Sequence, residues 1–115
     1  MENLSVPTMK VLLLAKNNIS KIKSINELVK LEVLDLHNNR IARIEGFSIL
    51  NSMRILNLSH NQILKIENLD NLSTLTELNL KSNLITIVEN IKHLTKLEKL
   101  FLASNRIEIK NLEHC

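Results

Sequence analysis

Between Leu31 and Ser52 the apolar positions change their rhythm once. In Val33-Leu34-Asp35-Leu36-His37 leucines alternate with other residues, the period-two pattern of a strand with one buried face. After Asn39 the apolar spacing becomes three, at Ile41, Ile44, Phe47, Leu50 and Met53. That spacing suits 3₁₀-like turns better than a 3.6-residue helix, and long 3₁₀ runs are unfavourable. The segment therefore predicts a short strand, a bend, and a return path of short turns with at most one turn of α-helix.

The same order recurs every 22 residues. The positions Leu31, Leu34, Leu36, Asn39, Ile41, Ile44, Phe47 and Leu50 are matched by Met53, Leu56, Leu58, Asn61, Ile63, Ile66, Leu69 and Leu72. They are matched again by Leu75, Leu78, Leu80, Asn83, Ile85, Val88, Ile91 and Leu94, and upstream by Met9, Leu12, Leu14, Asn17, Ile19, Ile22, Ile25 and Leu28. A fifth unit opens with Leu97, Leu100, Leu102, Asn105 and Ile107, then slips by one residue to Ile109 and Leu112, which sets Cys115 where other units have Leu. Fixed-period self-similarity of this kind means stacked supersecondary units, none of which can bury its apolar face alone. The strands of successive units are expected to pair in parallel about 4.8 Å apart. Each buried aliphatic side chain then contributes about 1.5–3 kcal/mol, most of it offset by ordering entropy, so several adjacent units are required.

The expected fold is therefore α/β, a right-handed solenoid of about five repeats. Short parallel strands line its concave face, and 3₁₀ or short helical turns line its convex face. The chain, 1–115, reads as one domain with units near 9–30, 31–52, 53–74, 75–96 and 97–115, and residues 1–8 as the tail of a preceding unit. No polar terminal cap is evident at either end, and repeat arrays use such caps to shield their last core layer. The chain is thus expected to be a fragment of a longer protein, or to cover its edges by self-association.

Asn17, Asn39, Asn61, Asn83 and Asn105 form a ladder at the bend after each strand. A bend leaves backbone N–H and C=O groups without strand partners. A buried carboxamide offers both donor and acceptor, so these five are read as structural rather than catalytic or metal-binding.

Composition narrows the class. The chain has 115 residues, a net charge of +3, no Trp or Tyr, and only Phe47 and Phe101 as aromatics. The opening residues MENLSVPTMK carry early charge and a proline, unlike a secretory signal, and no apolar run approaches the roughly 18 residues that span a bilayer. A single cysteine fits a reducing compartment. A cytoplasmic location is expected, with no membrane partner. Asn-x-Ser/Thr triplets at Asn3, Asn18, Asn57 and Asn71 are read as chance products of an Asn-rich chain.

Candidate chemistry is sparse. His37, His60, His93 and His114 stand at no metal-ligand spacing, and the lone glycine, Gly46, excludes a phosphate-binding loop. Asp35, His37 and Ser59 offer the residue types of a triad on adjacent strands, but a flat sheet supplies neither oxyanion donors nor a deep pocket. No catalytic residue, cofactor, metal or small-molecule substrate is expected. Nucleic acid is disfavoured by the lack of stacking aromatics and of a strong positive field.

Function must then lie in a surface. The outward strand residues form three rows: Val11, Val33, Ile55, Glu77, Lys99; Leu13, Asp35, Asn57, Asn79, Phe101; and Ala15, His37, Ser59, Lys81, Ala103. The N-terminal half of this face is apolar, and contiguous exposed apolar surface marks binding sites; Phe101 is a candidate anchor near the far end. The expected partner-binding residues are Val11, Leu13, Val33, Asp35, His37, Ile55, Asn57, Glu77, Asn79, Lys81, Lys99 and Phe101. Lys16, Lys21, Lys23, Arg40, Arg43, Lys65 and Arg106 lie on the bend and the start of the return path beside Glu45, Glu67 and Glu89, where such stripes mostly solvate a rim.

The repeat resembles the leucine-rich repeat in its 22-residue form. The Ile-x-x-Ile-Glu pattern of Ile41–Glu45 and Ile63–Glu67 resembles the class named for a regulatory subunit of protein phosphatase 1. LEVLDLHNNRI, MRILNLSHNQI, LTELNLKSNLIT and LEKLFLASNRI look like the array in the leucine-rich subunit of the tubulin polyglutamylase complex. That resemblance implies a non-catalytic scaffold or adaptor that binds a protein on its concave face in a cytoskeletal or ciliary assembly. Alternatives are a regulatory subunit docking a protein phosphatase and a structural component of a ribonucleoprotein. Phosphatase docking in the resembled class uses acidic and aromatic concave residues, of which this chain supplies few.

Overall fold

The computed structural model describes residues 8–22, 25, 28–48 and 50–108. The proposed tail at 1–8 falls almost wholly outside them, as do Lys23, the slipped positions Ile109 and Leu112, and His114 and Cys115. Five three-residue strands follow one another: β1 (Val11–Leu13), β2 (Val33–Asp35), β3 (Ile55–Asn57), β4 (Glu77–Asn79) and β5 (Lys99–Phe101). They form one parallel sheet in sequence order. Its register sets Val11 beside Val33, Val33 beside Ile55, Ile55 beside Glu77, and Glu77 beside Lys99. The strand repeat of the sequence is thus the repeat of the backbone.

The central residue of each strand points into the coil. Leu34, Leu56 and Leu78 are fully buried, together with Leu36, Leu58 and Leu80 just beyond the strand ends. Ile41, Ile44, Phe47, Leu50 and Met53 close the far wall of the same core, as do Ile63, Ile66, Leu69, Leu72 and Leu75 one coil later. Leu12 and Leu100, in the two outermost strands, are half-buried and pack against this core. A coil is fully covered only where it has neighbours on both sides, which is the one-dimensional logic of stacked repeats.

The return path contains no helix among the described residues, although the sequence anticipates short helical turns there. The threefold spacing makes isolated turns instead. Leu28 N–H donates to Ile25 C=O at 2.9 Å and Leu31 N–H to Leu28 C=O at 3.0 Å; Leu72 to Leu69 and Leu75 to Leu72 repeat the pair, as do Leu94 to Ile91 and Leu97 to Leu94. A 3₁₀ helix bonds successive N–H groups, whereas here every third N–H is bonded, the one belonging to a residue of the core row. Accordingly, no helix among the described residues is long and apolar enough to cross a membrane.

Each bend passes through a left-handed residue immediately before the ladder asparagine: Lys16, Asn38, His60, Ser82 and Ser104 all have φ between 55° and 59°. That region is costly for most L-residues. The adjoining carboxamides hold the bend in place. Asn39 Oδ1 accepts the N–H groups of Asn17 and Ile19, both at 2.9 Å, while its Nδ2 donates to Leu14 C=O at 3.0 Å and Leu36 C=O at 2.9 Å. Asn61 Oδ1 accepts Ile41 N–H at 2.9 Å and its Nδ2 donates to Leu36 and Leu58 C=O, both at 3.0 Å. Asn83 and Asn105 repeat the arrangement one and two coils on. Each of these four amides therefore bonds its own coil and the preceding one.

Candidate functional site

The face of the sheet away from the core is built by the first and third residues of each strand. Because strand side chains alternate, burying Leu12, Leu34, Leu56, Leu78 and Leu100 sends their neighbours outward. Val11 and Leu13 are 53% and 66% exposed, and Phe101, at the other end of the sheet, is 42% exposed. Val33 and Ile55 are half-buried beside Val11. The row thus runs Val11, Val33, Ile55 as a continuous apolar strip and turns charged at Glu77 and Lys99, with Lys81 exposed beyond β4.

The second row also makes hydrogen bonds within the fold. Asp35 Oδ1 accepts the His37 N–H at 3.0 Å, Asn57 Oδ1 the Ser59 N–H at 3.0 Å, and Asn79 Oδ1 the Lys81 N–H at 3.0 Å. Each carboxyl or carboxamide oxygen closes a turn two residues ahead, the local bonding that Asp and Asn favour. Leu13 and Phe101 occupy the same row in the outermost strands, where no such bond can form and the side chain is left to solvent.

The three residues with triad chemistry do not form one. His37 Nδ1 lies 2.6 Å from Asp35 Oδ1, but Ser59 is buried and its hydroxyl donates to Asn57 Oδ1 at 2.8 Å. Among the described residues no group of three His, Cys, Asp or Glu could hold a metal ion. An open depression of about 230 Å³ lies beside β4 and β5, lined by Thr76, Glu77, Glu98 and Lys99. Another, of about 240 Å³, lies on the return path around Glu45, Gly46, Ser48, Asn68 and Asp70. Neither holds a nucleophile paired with a base.

One row escaped the sequence reading. Lys10, Glu32, Arg54, Thr76 and Glu98 precede the five strands at the same spacing. Arg54 Nε donates to Glu32 Oε1 at 3.2 Å, and Thr76 Oγ1 to Arg54 C=O at 3.0 Å. The signal was present as charge alternating from Lys10 to Glu32 to Arg54 at the repeat period, but it stands one residue outside the leucine alternation that defined the strands.

A family model described as leucine-rich repeats in two copies matches residues 7–49 and 29–73, more than half of the chain. No curated protein sequence matches it. Among solved structures, the chain is similar to an internalin (inlF) from Listeria monocytogenes, with 32% identity and a TM-score of 0.78 over 87% of this chain and 30% of that one. It is also similar to an internalin C2 of the same organism, with 28% identity and a TM-score of 0.85 over 97% of this chain and 52% of that one. The functional domain of InlJ, described as including a cysteine ladder, has 22% identity and a TM-score of 0.81 over 94% of this chain, and shows the fold alone; the chain covers 24% of its length. The chain thus spans between about a quarter and about half the length of these structures. Parallel strands in 22-residue register, leucines meeting between coils, a carboxamide at every bend and the family match lead to one conclusion: the chain belongs to the leucine-rich repeat family.

Proposed function

We propose that this chain is a non-enzymatic scaffold or adaptor that docks another protein on the outward face of its strand sheet. Leucine-rich repeat solenoids bind other proteins, and one observation carries the assignment to this face. Val11, Leu13, Val33 and Ile55 form a contiguous apolar surface across β1–β3, and its two residues on β1 are more than half exposed. Apolar surface held on a rigid sheet, with no further layer of this chain over it among the described residues, is a ready interface core. The likeness of its repeats to the protein phosphatase 1 regulatory-subunit class and to the tubulin polyglutamylase subunit supports a cytoplasmic role in a cytoskeletal or ciliary assembly.

The test compares affinity capture by the wild-type chain and by a Val33→Asp/Ile55→Asp double variant, with circular dichroism to verify that both fold. The docking reading requires a partner that the wild type retains and the double variant loses. An identical set of captured proteins would remove the sheet face from consideration and leave the bends or the return path.

A further inference from the structure

The apolar corner of the sheet is framed by charge that does not cancel. Val11, Val33 and Ile55 stand side by side and Leu13 lies two residues along β1, so the patch extends about 10 Å across the strands and about 7 Å along them. Lys10 and Glu32 precede β1 and β2; Lys16 and Arg40 stand at the bends where these strands leave the sheet. Among the described residues, the two acids of this corner, Glu32 and Asp35, both have partners within the fold. Glu32 Oε1 accepts from Arg54 Nε at 3.2 Å, and Asp35 Oδ1 accepts the His37 N–H at 3.0 Å and lies 2.6 Å from the His37 ring nitrogen. Lys10, Lys16 and Arg40 are all exposed, and among the described residues none of them pairs with a carboxylate. With Glu32 paired to Arg54, the exposed Lys10, Lys16 and Arg40 outnumber the one remaining carboxylate, Asp35, so among the described residues the flanks of β1 and β2 carry net positive charge beside an exposed apolar centre.

Resting on the docking reading above, we infer that this corner receives an acidic segment of another protein, one that carries two or three bulky apolar side chains flanked by aspartate or glutamate. The patch has room for that number of side chains, which would cover Val11, Leu13 and Val33. Carboxylates beside them would meet Lys10, Lys16 and Arg40 at the rim. Such complementarity sets specificity and association rate more than raw affinity. A basic segment with the same apolar side chains brings like charges together and is rejected, and a neutral one gains the apolar contact alone. The opposite end of the sheet, where Glu77, Lys81, Glu98 and Lys99 alternate in sign, offers no such preference, so the selection belongs to the first two coils.

A displayed library of random peptides, selected on the immobilised full chain, tests this whichever protein the partner turns out to be. Three proteins are compared: wild type, Val33→Asp, and the triple variant Lys10→Glu/Lys16→Glu/Arg40→Glu. Circular dichroism checks folding, and Leu13→Asp replaces Val33→Asp should that variant not fold. Wild type is expected to enrich peptides with Leu, Ile or Phe flanked by Asp or Glu. Their binding falls by about tenfold or more in Val33→Asp and weakens with added salt. The triple variant shifts the enriched flanks to Lys and Arg. Apolar peptides without acidic bias that still need Val33 would keep the docking face and overturn its acidic selectivity. Peptides indifferent to Val33, or no selected peptide at all, would overturn both. Single-stranded poly(U) that binds wild type and Val33→Asp equally, and displaces the peptides, would make the corner a general polyanion surface and also overturn the inference.

Discussion

At Asn61 one carboxamide completes the backbone of two coils at once. Its Oδ1 accepts Ile41 N–H from the preceding coil, and its Nδ2 reaches Leu36 C=O in that coil and Leu58 C=O in its own. No apolar side chain of similar volume can do this, so Asn61→Leu leaves the buried Ile41 N–H unpaired and strips Leu36 and Leu58 C=O of one of their two amide donors, at a cost of about 1–3 kcal/mol. Asn17 makes the contrast. It is exposed, and among the described residues its amide donates only to Ala15 C=O in its own coil. Asn17→Leu should cost only a few tenths of a kcal/mol, as surface substitutions usually do. Urea midpoints measure both, and equal losses would show that the value of an amide does not come from joining coils. The role is set by position in the stack, since the residue type is the same.

The return path holds a second row of such joints. Gly46, Asn68 and Asn90 share a left-handed conformation at the repeat spacing. Asn68 Nδ2 donates to Ile44 C=O at 2.7 Å and Asn90 Nδ2 to Ile66 C=O at 2.8 Å, each reaching back one coil. Gly46 has no side chain to do so, yet a Cβ there would stand 3.4 Å from Ile22 C=O, the equivalent acceptor. Asn tolerates this backbone region better than other L-residues. Gly46→Asn should therefore gain a hydrogen bond to Ile22 C=O that offsets the strain of a side chain at this backbone, leaving stability close to wild type, while Asn68→Gly lowers it by about 1 kcal/mol. A lower urea midpoint for Gly46→Asn would mean that the backbone at this position, with φ of 88°, has drifted too far for a side chain. Strands, ladder positions and coil spacing were all legible in the sequence, because leucine alternation and the bend asparagine repeat without exception from Met9 to Ile107. This second row was not, since a glycine in one unit hides the pattern that two asparagines show. Nor did the sequence reveal that Asp35, Asn57 and Asn79 turn back on their own bends. That depends on a left-handed residue three positions on, filled by Asn38, His60 and Ser82, three types with no shared signature.

Among the described residues each coil touches only its neighbours: β2 pairs with β1 and β3, β3 with β2 and β4, and the core passes from coil to coil without a central hub. Stability in such an array is a sum of coil terms and neighbour terms, so the effect of an identical truncation depends on how many neighbours share the lost side chain. Leu56, fully buried between β2 and β4, contributes to two interfaces. Leu12 is half-buried and, among the described strands, faces only β2. Leu56→Ala should cost about 3–5 kcal/mol, within the range for fully buried leucines that leave a cavity, and Leu12→Ala about 1–2 kcal/mol. Hydrogen exchange separates the two further. Leu36 and Leu58 N–H groups, which bond to Asn57 and Asn79 C=O across the interfaces on either side of β3, should lose protection in Leu56→Ala. The Leu80 and Ser82 N–H groups, bonded to Phe101 and Ala103 C=O, should keep theirs in Leu12→Ala. Uniform loss of protection along the chain in both variants would mean that the array unfolds as one unit whose cooperativity exceeds neighbour coupling. A docking partner seated on β1–β3 would then stabilise the far coils as strongly as those it touches.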